Sequence, residues 1–402
     1  MAADDSEFDV LVAGAGPVGL TTALCAAAAG LSAGVLESAS RDQPRPGSRA
    51  LFVHRVSLEL LDRASAGLGY RIGQFGTLWS VRRTLFRGRE VYCRSFAARV
   101  PDGLPPYASL RQADTERFLR EACEKEAVQI SWGDPVVDVI VSPTQVLART
   151  SSGRQWRSRY LVAADGGRSL VRSAVGIALD GNRSSAYHVV IDITDPPGLP
   201  GDDTRAFHYY SPQLGGRHVL IAPFRGGRQV DVQCRPGEDP QQLCETASEW
   251  LARILDEDAP RRVMSASRYP FHQRVAHRLV DERHRVLLAG DAAHMFPPFG
   301  ARGMNSGFAD AEAAASAIAL AVRASGVDAW QAIEGFDRDR RQAAYRNRAA
   351  ASAALRHLRA STPGLRMRQE LAARSSPLFP AAGKWLEQAP YGPRSLGNGH
   401  KY

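Results

Sequence analysis

The sequence predicts an α/β fold in which a discontinuous Rossmann-like domain holds an inserted β-rich (α+β) domain and is followed by a helical C-terminal region. Three observations predict this fold. An apolar run near the N-terminus breaks at a glycine cluster and continues as an alanine-rich helix, strand patterns fill the middle of the chain, and β-α texture returns near residue 286 before a helical end. The chain has 402 residues, 44% of them hydrophobic and 23% charged, which is enough for more than one globular domain.

The N-terminal segment has the order strand, helix, strand. Residues 8–13 are apolar and β-prone, Pro17 begins a helix that ends near Gly30, and residues 32–37 form a second strand. The further elements predicted for this domain are helices over about 49–64, 114–127 and 306–324, and strands over 135–141, 146–149, 160–164 and 286–289.

The inserted domain is predicted from a series of strands with one helix, at about residues 240–255. Its strands are expected at 77–81, 89–93, 187–193, 205–210, 218–222, 229–234 and 265–271. We therefore assign residues 1–70, 108–181 and 278–328 to the Rossmann-like domain, 71–107 and 182–277 to the inserted domain, and 329–402 to a C-terminal helical region and tail. Within that last region, residues 329–373 are predicted to be helical, and four prolines after residue 376 predict an irregular end.

The positive charge of the chain is concentrated in its C-terminal part. The formal net charge is +9, but residues 326–402 contain 13 Arg or Lys against 6 acids, whereas residues 1–325 contain 38 against 36. Because the excess lies away from every motif described below, it does not predict a nucleic-acid partner.

Cysteine spacing and hydropathy predict a cytoplasmic protein without a metal site or a membrane segment. The five cysteines are odd in number and show no CxxC or CxxH spacing, so neither a disulfide framework nor a zinc site is expected. Residues 10–36 carry no charge but include five glycines and a proline, which argues against a membrane helix. The acidic start differs from a signal peptide.

A dinucleotide fingerprint follows the first strand. Gly14, Gly16 and Gly19 form a GxGxxG turn at the start of the first helix, where backbone N–H groups and the helix dipole favour a pyrophosphate. Glu37 ends the second strand, where its carboxylate could accept hydrogen bonds from ribose hydroxyls. The fingerprint predicts dinucleotide binding but does not distinguish FAD from NAD.

Two further motifs carry a family resemblance. Residues 160–172, with Asp165 in the sequence YLVAADGGRSLVR, resemble the "DG" motif of flavin-dependent aromatic hydroxylases, and residues 286–300, with Gly290 and Asp291, resemble their "GD" motif. With the fingerprint, three motifs occur in the family's order across about 300 residues. The chain thus resembles the single-component FAD monooxygenases of the 4-hydroxybenzoate hydroxylase fold over roughly residues 8–350, and the Rossmann-like domain is then an FAD-binding domain.

The resemblance implies the positions of the cofactor site. Asp291 would bind a ribityl hydroxyl of FAD, Gly303 and Asn305 lie where the family's helix start faces the flavin, and Arg49 and Gln112 match family positions that contact FAD. Arg111, beside Gln112, is a weaker candidate. Asp165 of the DG motif is a cofactor-binding candidate whose alternative is a plain turn residue.

Several polar residues near these motifs have open roles. Ala301 and Arg302 replace the second glycine that many relatives have after the position of Gly300. Arg302 could contact an anionic substrate or cofactor, or face solvent. His294 is expected to stabilise the GD loop, and core packing is expected for residues 207–210 on one strand, where period two places His208 and Tyr210 on one face. No catalytic residue is assigned.

The function implied by the resemblance is hydroxylation of a phenolic, polyketide or heteroaromatic small molecule. FAD would be reduced by transiently bound NADPH or NADH, and O2 would form a C4a-hydroperoxyflavin that delivers one oxygen atom to the ring. The expected partners are the aromatic substrate and O2, with no nucleic acid and no membrane, and the protein is expected to be a monomer or homodimer. The alternatives are an FAD-dependent oxidoreductase that inserts no oxygen and a non-catalytic polyanion-binding protein.

Overall fold

The structure is a computed structural model, and it describes residues 7–43, 52–96, 103–182, 187–196, 203–235, 237–324, 326–360 and 362–393. The described strands are β1 (Glu7–Ala13), β2 (Ala33–Leu36), β3 (Phe52–His54), β4 (Val81–Phe86), β5 (Arg89–Ser95), β6 (Tyr107–Ser109), β7 (Gln129–Ser131), β8 (Val136–Val141), β9 (Val146–Thr150), β10 (Gln155–Ala163), β11 (Leu179–Asn182), β12 (Tyr187–Thr194), β13 (Thr204–Ser211), β14 (Arg217–Phe224), β15 (Gly227–Gln233), β16 (Val263–Pro270), β17 (Gln273–Ala276), β18 (Val286–Leu288) and β19 (His294–Met295). The described helices are α1 (Pro17–Ala28), α2 (Arg55–Ala64), α3 (Leu68–Phe75), α4 (Gln112–Lys125), α5 (Leu170–Ala174), α6 (Pro240–Glu245), α7 (Ala247–Ile254), α8 (Arg302–Arg323), α9 (Val327–Arg359), α10 (Pro363–Ser375) and α11 (Pro380–Gln388).

The first sheet brings the motif-bearing strands side by side. Its order is β7-β2-β1-β10-β9-β8, and β18 pairs in parallel with the C-terminal half of β10. Val10, Leu11 and Val12 at the centre of β1 are fully buried, as expected for a parallel strand that is covered on both faces. Helices α1 and α8 pack against each other beside this sheet. The carboxyl ends of β1, β2, β10 and β18 therefore meet at one edge, as predicted for a Rossmann-like domain.

The second sheet has seven strands in the order β16-β12-β15-β14-β13-β4-β5. Strand β4, from the segment before β6, pairs in parallel with β13. The two separate segments that we assigned to the inserted domain thus contribute to one sheet. Helix α6 and helix α7 replace the single helix predicted over 240–255, because the chain turns at Thr246.

Three further predictions from the sequence were wrong in detail. The helix expected from residue 49 begins at Arg55, because residues 52–54 form strand β3, which pairs with β6. The helix expected over 329–373 is divided: α9 ends at Arg359, its C-cap residue Ala360 has φ +41°, and Pro363 begins α10. The irregular end contains helix α11, since Pro380 occupies its first turn, where a missing N–H costs nothing.

One face of the second sheet and one edge of the first sheet face a shared interior space.

Within the described ranges, no helix is long and apolar enough to cross a membrane. Cys25, Cys93, Cys123, Cys234 and Cys244 are free thiols.

Candidate active site

A large cavity lies between the edge of the first sheet and the face of the second. Its volume is about 2270 Å³. Among the residues predicted from sequence, those that line it are Gly16, Gln112, Asp291, Gly303 and Asn305. The cavity therefore joins the fingerprint, the GD segment and the start of α4 in one space that is large enough for a dinucleotide and a second molecule.

The glycine turn has no room for side chains. Gly14 has φ +97°, and a Cβ atom there would lie 2.5 Å from the carbonyl oxygen of Ala164. A Cβ atom on Gly19 would lie 1.8 Å from the carbonyl oxygen of Gly14. Gly16 is the N-cap residue of α1, so no side chain covers the first N–H groups of this helix from that position. The turn thus presents backbone at the start of a helix, which suits a pyrophosphate.

Glu37 lies directly beside this turn. Its side chain is buried, Oε2 accepts a hydrogen bond of 2.6 Å from Ala15 N, and Oε1 accepts one of 2.8 Å from Ala39 N. The carboxylate is therefore fixed at the end of β2, where the sequence placed an adenosine-binding acid.

The DG and GD motifs are joined through a buried arginine. The Arg172 guanidinium donates from Nη1 to the carbonyl of Ala292 at 3.1 Å and from Nη2 to the carbonyl of Gly167 at 3.3 Å. Asp165 accepts a hydrogen bond of 3.1 Å from Val171 N at Oδ2, while its buried Oδ1 has no hydrogen-bond partner within the described part of the chain. Asp165 is not among the residues that line the cavity, although its neighbour Gly166 is.

Asp310 organises the GD segment and was missed in the sequence. It is fully buried in α8, where Oδ2 accepts hydrogen bonds from Gly290 N at 3.0 Å and contacts His294 Nε2 at 2.7 Å, and Oδ1 accepts one from Arg340 Nε at 2.7 Å. Burial alone would raise the pKa of Asp310, but the charges of His294 and Arg340 hold it below its usual value. His294 is therefore engaged in structure, as expected. The sequence did contain a signal for this role, because Asp310 is an acidic residue on the apolar face of an alanine-rich helix.

The start of α8 is fixed by the Asn305 side chain. Its Nδ2 donates to the carbonyl oxygens of Phe52 at 2.8 Å and Ala301 at 2.7 Å, and its Oδ1 accepts from His54 N at 2.9 Å and Ser57 Oγ at 2.8 Å. The side-chain amide thus ties strand β3 to the helix start. Next to it, a Cβ atom on Gly303 would meet no heavy atom within 4 Å, so Gly303 presents open backbone to the cavity.

Arg302 holds the C-terminal part of the chain. Its Nη1 donates to Asn347 Oδ1 at 3.2 Å, and its Nη2 donates to the carbonyl oxygens of Tyr391 at 3.1 Å and Pro393 at 3.0 Å. Burial lowers the pKa of Arg302. The sequence analysis expected Arg302 either to contact an anionic ligand or to face solvent. The residue lines the cavity, but its hydrogen bonds fix the turn after α11.

The remaining predicted residues are Gln112, Arg111, Arg49 and Gly290. Gln112 faces the cavity and donates to Glu116 Oε1 at 2.9 Å, whereas Arg111 pairs with Asp114 at 2.9 Å and is not among the lining residues. Arg49 lies outside the described residues. Gly290 has φ +59°, and a Cβ atom there would lie 2.9 Å from Val18, so this glycine allows close packing of the GD turn on α1.

The residues 207–210 behave mostly as core, as expected. Only Phe207 among them lines the cavity. Tyr209 is fully buried, and its hydroxyl lies 2.8 Å from His357 Nε2 and 2.7 Å from the carbonyl of Leu386.

A histidine and an aspartate that the sequence did not suggest face the cavity from the second sheet. His188 on β12 is 5% exposed, and its Nδ1 is hydrogen-bonded to Asp231 of β15. Its buried Nε2 has no hydrogen-bond partner among the residues that the structure describes. Because an ionised carboxylate only accepts hydrogen bonds, Nδ1 donates to Asp231, and in a neutral imidazole Nε2 is then an acceptor. The His188 ring lies 6.1 Å from that of Phe299, which adjoins Gly300 in the GD segment.

Comparisons with known proteins agree with these features. The sequence matches the family described as "FAD binding domain" over residues 7–350. It is 30% identical to a para-nitrophenol 4-monooxygenase of Pseudomonas sp., over 83% of this chain and 82% of that protein. It is 29% identical to a 3-(3-hydroxy-phenyl)propionate/3-hydroxycinnamic acid hydroxylase of Mycobacterium avium, over 85% of this chain and 59% of that protein.

Two further comparisons concern the length of the relatives and the fold of a solved structure. A 6-methylpretetramide 4-monooxygenase of Streptomyces rimosus is 32% identical over 78% of this chain and 56% of its own length. The chain thus spans less than two thirds of several curated relatives. The solved structure of p-nitrophenol 4-monooxygenase PnpA from Pseudomonas putida superimposes with a TM-score of 0.78 at 26% identity, covering 96% of this chain and 99% of that one.

Proposed function

Because this chain belongs to the FAD-binding domain family that its sequence matches over residues 7–350, we propose that it is an FAD- and NAD(P)H-dependent monooxygenase that hydroxylates an aromatic small molecule. The observation that carries the proposal is the single cavity that the fingerprint helix, the GD segment and the face of the second sheet line together. Such a cavity brings a dinucleotide and a second ligand into contact.

The chain's residues fit FAD at three places. The glycine turn and the N-terminus of α1 would receive the pyrophosphate, Glu37 would accept hydrogen bonds from the adenosine ribose, and Asp291 would hold a ribityl hydroxyl. When bound, FAD supplies electron transfer from NAD(P)H and activation of O2. The open backbone of Gly303 at the start of α8 would stabilise negative charge on the cofactor.

The second sheet would bind and activate the aromatic ring. The free Nε2 of His188 is placed to accept the proton of a phenol, while Asp231 holds the imidazole in the tautomer that can do so. Loss of that proton makes the ring richer in electrons and a better acceptor of oxygen. Phe296, Phe299 and Phe207 surround this space with apolar surface that excludes water.

The proposal extends to domains, partners and location. We propose that residues 1–70, 108–181 and 278–328 form the FAD-binding domain and that 71–107 and 182–277 form the substrate domain, which is supported by the separate sheets of β1 and β12. O2 and the aromatic substrate would be the partners, in the cytoplasm, where NAD(P)H is available.

The test uses purified protein loaded with FAD and offered NADH or NADPH. The probes are 4-nitrophenol and 3-(3-hydroxyphenyl)propionate, which appear in the names of the relatives. We expect at least one probe to stimulate NAD(P)H oxidation with matching O2 consumption. Dehydrogenation without O2 consumption would favour the oxidoreductase alternative, and a protein that binds no FAD would overturn both.

A further inference from the structure

Helix α10 exposes apolar side chains and buries polar ones. Gln369, Ala373 and the C-cap residue Ser376 are buried against the rest of the protein. The opposite side of the helix carries Met367 and Leu371, which are 63% and 60% exposed. A helix that packs on a protein core normally shows the reverse pattern, because burial of apolar surface stabilises the fold. The outer side of α10 therefore has the composition of a contact surface that the described part of the chain leaves uncovered.

The row of exposed apolar side chains continues beyond the end of α10. Leu378 and Phe379 are 80% and 64% exposed, and their backbone N–H groups donate to the carbonyl of Ser375 at 3.0 Å and 2.8 Å. These bonds keep the spacing of a helix, in which Met367, Leu371 and Leu378 point within about 40° of one another. We call the four side chains Met367, Leu371, Leu378 and Phe379 the apolar stripe.

Positive charge surrounds the apolar stripe. The exposed cations of α10 and α11 are Arg366, Arg368, Arg374 and Lys384. The two acids of these helices offer little compensation, because Glu370 is paired with Arg87 and Glu387 is buried. Arg374 lies within the stripe, about one helical turn from each of its two leucines. The stripe is therefore an apolar surface with cations at its rim and one cation inside it.

We propose that the apolar stripe docks on the surface of an anionic lipid bilayer. Its apolar side chains would enter the boundary between headgroups and acyl chains, while the surrounding cations meet the negative phosphates. The sequence predicted no membrane partner because residues 10–36 do not form a spanning helix, but docking at a surface needs none. The proposal goes beyond the proposed function and does not depend on it.

The charge of the stripe favours a lipid surface over a second protein. The long side chain of Arg374 can reach the headgroups from within an apolar surface. In a protein interface the same position would bury the guanidinium, and the cores of such interfaces are depleted of charge. A second copy of this chain, docked through the same stripe, would bring the two sets of cations together, which opposes association.

The apolar stripe adjoins a wall of the large cavity. A groove of about 320 Å³ lies between β5 and the turn after α10, where Pro377, Pro380 and Tyr92 are among the residues that line it. Tyr92 also lines the large cavity. Docking through the stripe would therefore place one wall of the cavity near a lipid surface, into which apolar molecules partition.

The experiment measures co-sedimentation of the FAD-loaded protein with lipid vesicles. One set of vesicles contains phosphatidylcholine alone, and the other contains phosphatidylcholine and phosphatidylglycerol in equal parts. We expect the anionic vesicles to bind at least about tenfold more tightly than the neutral ones, and added NaCl to reduce the difference. The double variant Leu371→Gln, Leu378→Gln should weaken binding to anionic vesicles by about tenfold or more, and Arg374→Gln by about fivefold.

The matched controls are Leu320→Gln and Arg261→Gln, which replace an exposed leucine and an exposed arginine outside the apolar stripe. Both should bind anionic vesicles as the unmodified protein does. Flavin content and the thermal unfolding midpoint show whether each variant is folded, and light scattering gives the mass of each in solution.

Three results would overturn the proposal. The first is equal binding to anionic and neutral vesicles, or binding to neither. The second is a folded Leu371→Gln, Leu378→Gln variant that binds as tightly as the unmodified protein. The third is an oligomer that this variant dissociates, because a second copy would then cover the stripe. Since vesicle binding and not oxygen insertion is measured, these results stand apart from the test of the proposed function.

Discussion

Oε2 of Glu37 lies 2.6 Å from the backbone nitrogen of Ala15, so the acid at the end of β2 is hydrogen-bonded to the glycine turn that begins α1. This contact joins the two parts of the fingerprint before any ligand arrives. The carboxylate is held in place by the turn, and the turn keeps its shape through the carboxylate. Binding of a dinucleotide at this edge then requires little reorganisation, which favours affinity.

Replacing Glu37 should weaken FAD binding. In Glu37→Ala the ribose loses an acceptor and the glycine turn loses its contact at Ala15. We expect the dissociation constant of FAD to rise by about ten- to a hundredfold, the cost of charge-assisted hydrogen bonds. Titration of apoprotein with FAD, followed by flavin fluorescence, measures the change. Glu282→Ala is the control, because that side chain is 81% exposed and should leave the affinity unchanged. Equal affinities for both variants would contradict the assignment.

Alanine substitutions at Gly14 and Gly30 distinguish the cost of backbone strain from the cost of a clash between the new Cβ atom and its neighbours. Both have positive φ, +97° and +78°, but a Cβ atom on Gly30 would meet nothing within 4 Å, whereas on Gly14 it would lie 2.5 Å from Ala164 O. Gly30→Ala should cost about 1–2 kcal/mol in the free energy of unfolding and keep FAD. Gly14→Ala should cost more and lose FAD. Chemical denaturation and flavin content per chain report both, and full FAD occupancy in Gly14→Ala would refute the turn's role.

The His188 and Asp231 pair should determine how activity depends on pH. With a phenolic substrate, His188→Gln should lower kcat by about 10²–10⁴-fold below the pKa of the free phenol, because Nε2 no longer accepts its proton. At higher pH, where the phenol ionises unaided, activity should recover. Asp231→Asn should shift the profile in the same direction, whereas His277→Gln, at an exposed position, should not. A uniform loss of kcat across pH would indicate a structural role only.

Buried His218 should make stability depend on pH. Burial lowers its pKa to about 4 from the ordinary 6.5. Its Nδ1 accepts from Tyr210 N at 3.4 Å, and its Nε2 lies 2.8 Å from the carbonyl of Leu358. Between these two pKa values the unfolded chain binds more protons, so the free energy of unfolding falls as pH drops from 6.5 to 4, by on the order of 3 kcal/mol.

Chemical denaturation across this pH range checks the sign. His218→Gln should show a shallower decline between pH 6.5 and 4 than the unmodified protein and a parallel profile above pH 7. Identical slopes in both proteins between pH 6.5 and 4 would contradict the assignment of a neutral, buried imidazole.

Local sequence patterns were sufficient for the first sheet. The apolar run of β1, the glycine turn and the acid of β2 are consecutive in the chain, so their contacts follow from local geometry. Strand β3 was missed because three residues carry too little periodicity, and its pairing with β6 is a tertiary contact. Proline was misinterpreted at Pro380, where it begins a helix instead of preventing one.

The substrate side of the cavity could not be predicted, because strand register creates it. Arg82 and Arg205 become neighbours only when β4 pairs with β13, and residues 108–181, part of the first domain, separate these strands in the chain. His188 meets Asp231 across β12 and β15 in the same way. The period-two pattern of 207–210 indicated alternate faces, but the cavity-facing residue proved to be Phe207.

The most direct test of the central claim is the origin of the oxygen in the product. The FAD-loaded protein is incubated under 18O2 with NADH or NADPH and with 4-nitrophenol or 3-(3-hydroxyphenyl)propionate, and the products are analysed by mass spectrometry. We predict a hydroxylated product that contains one 18O atom, formed only when the nicotinamide and FAD are both present. A product that lacks 18O, or that forms without the nicotinamide, would contradict the assignment as a monooxygenase.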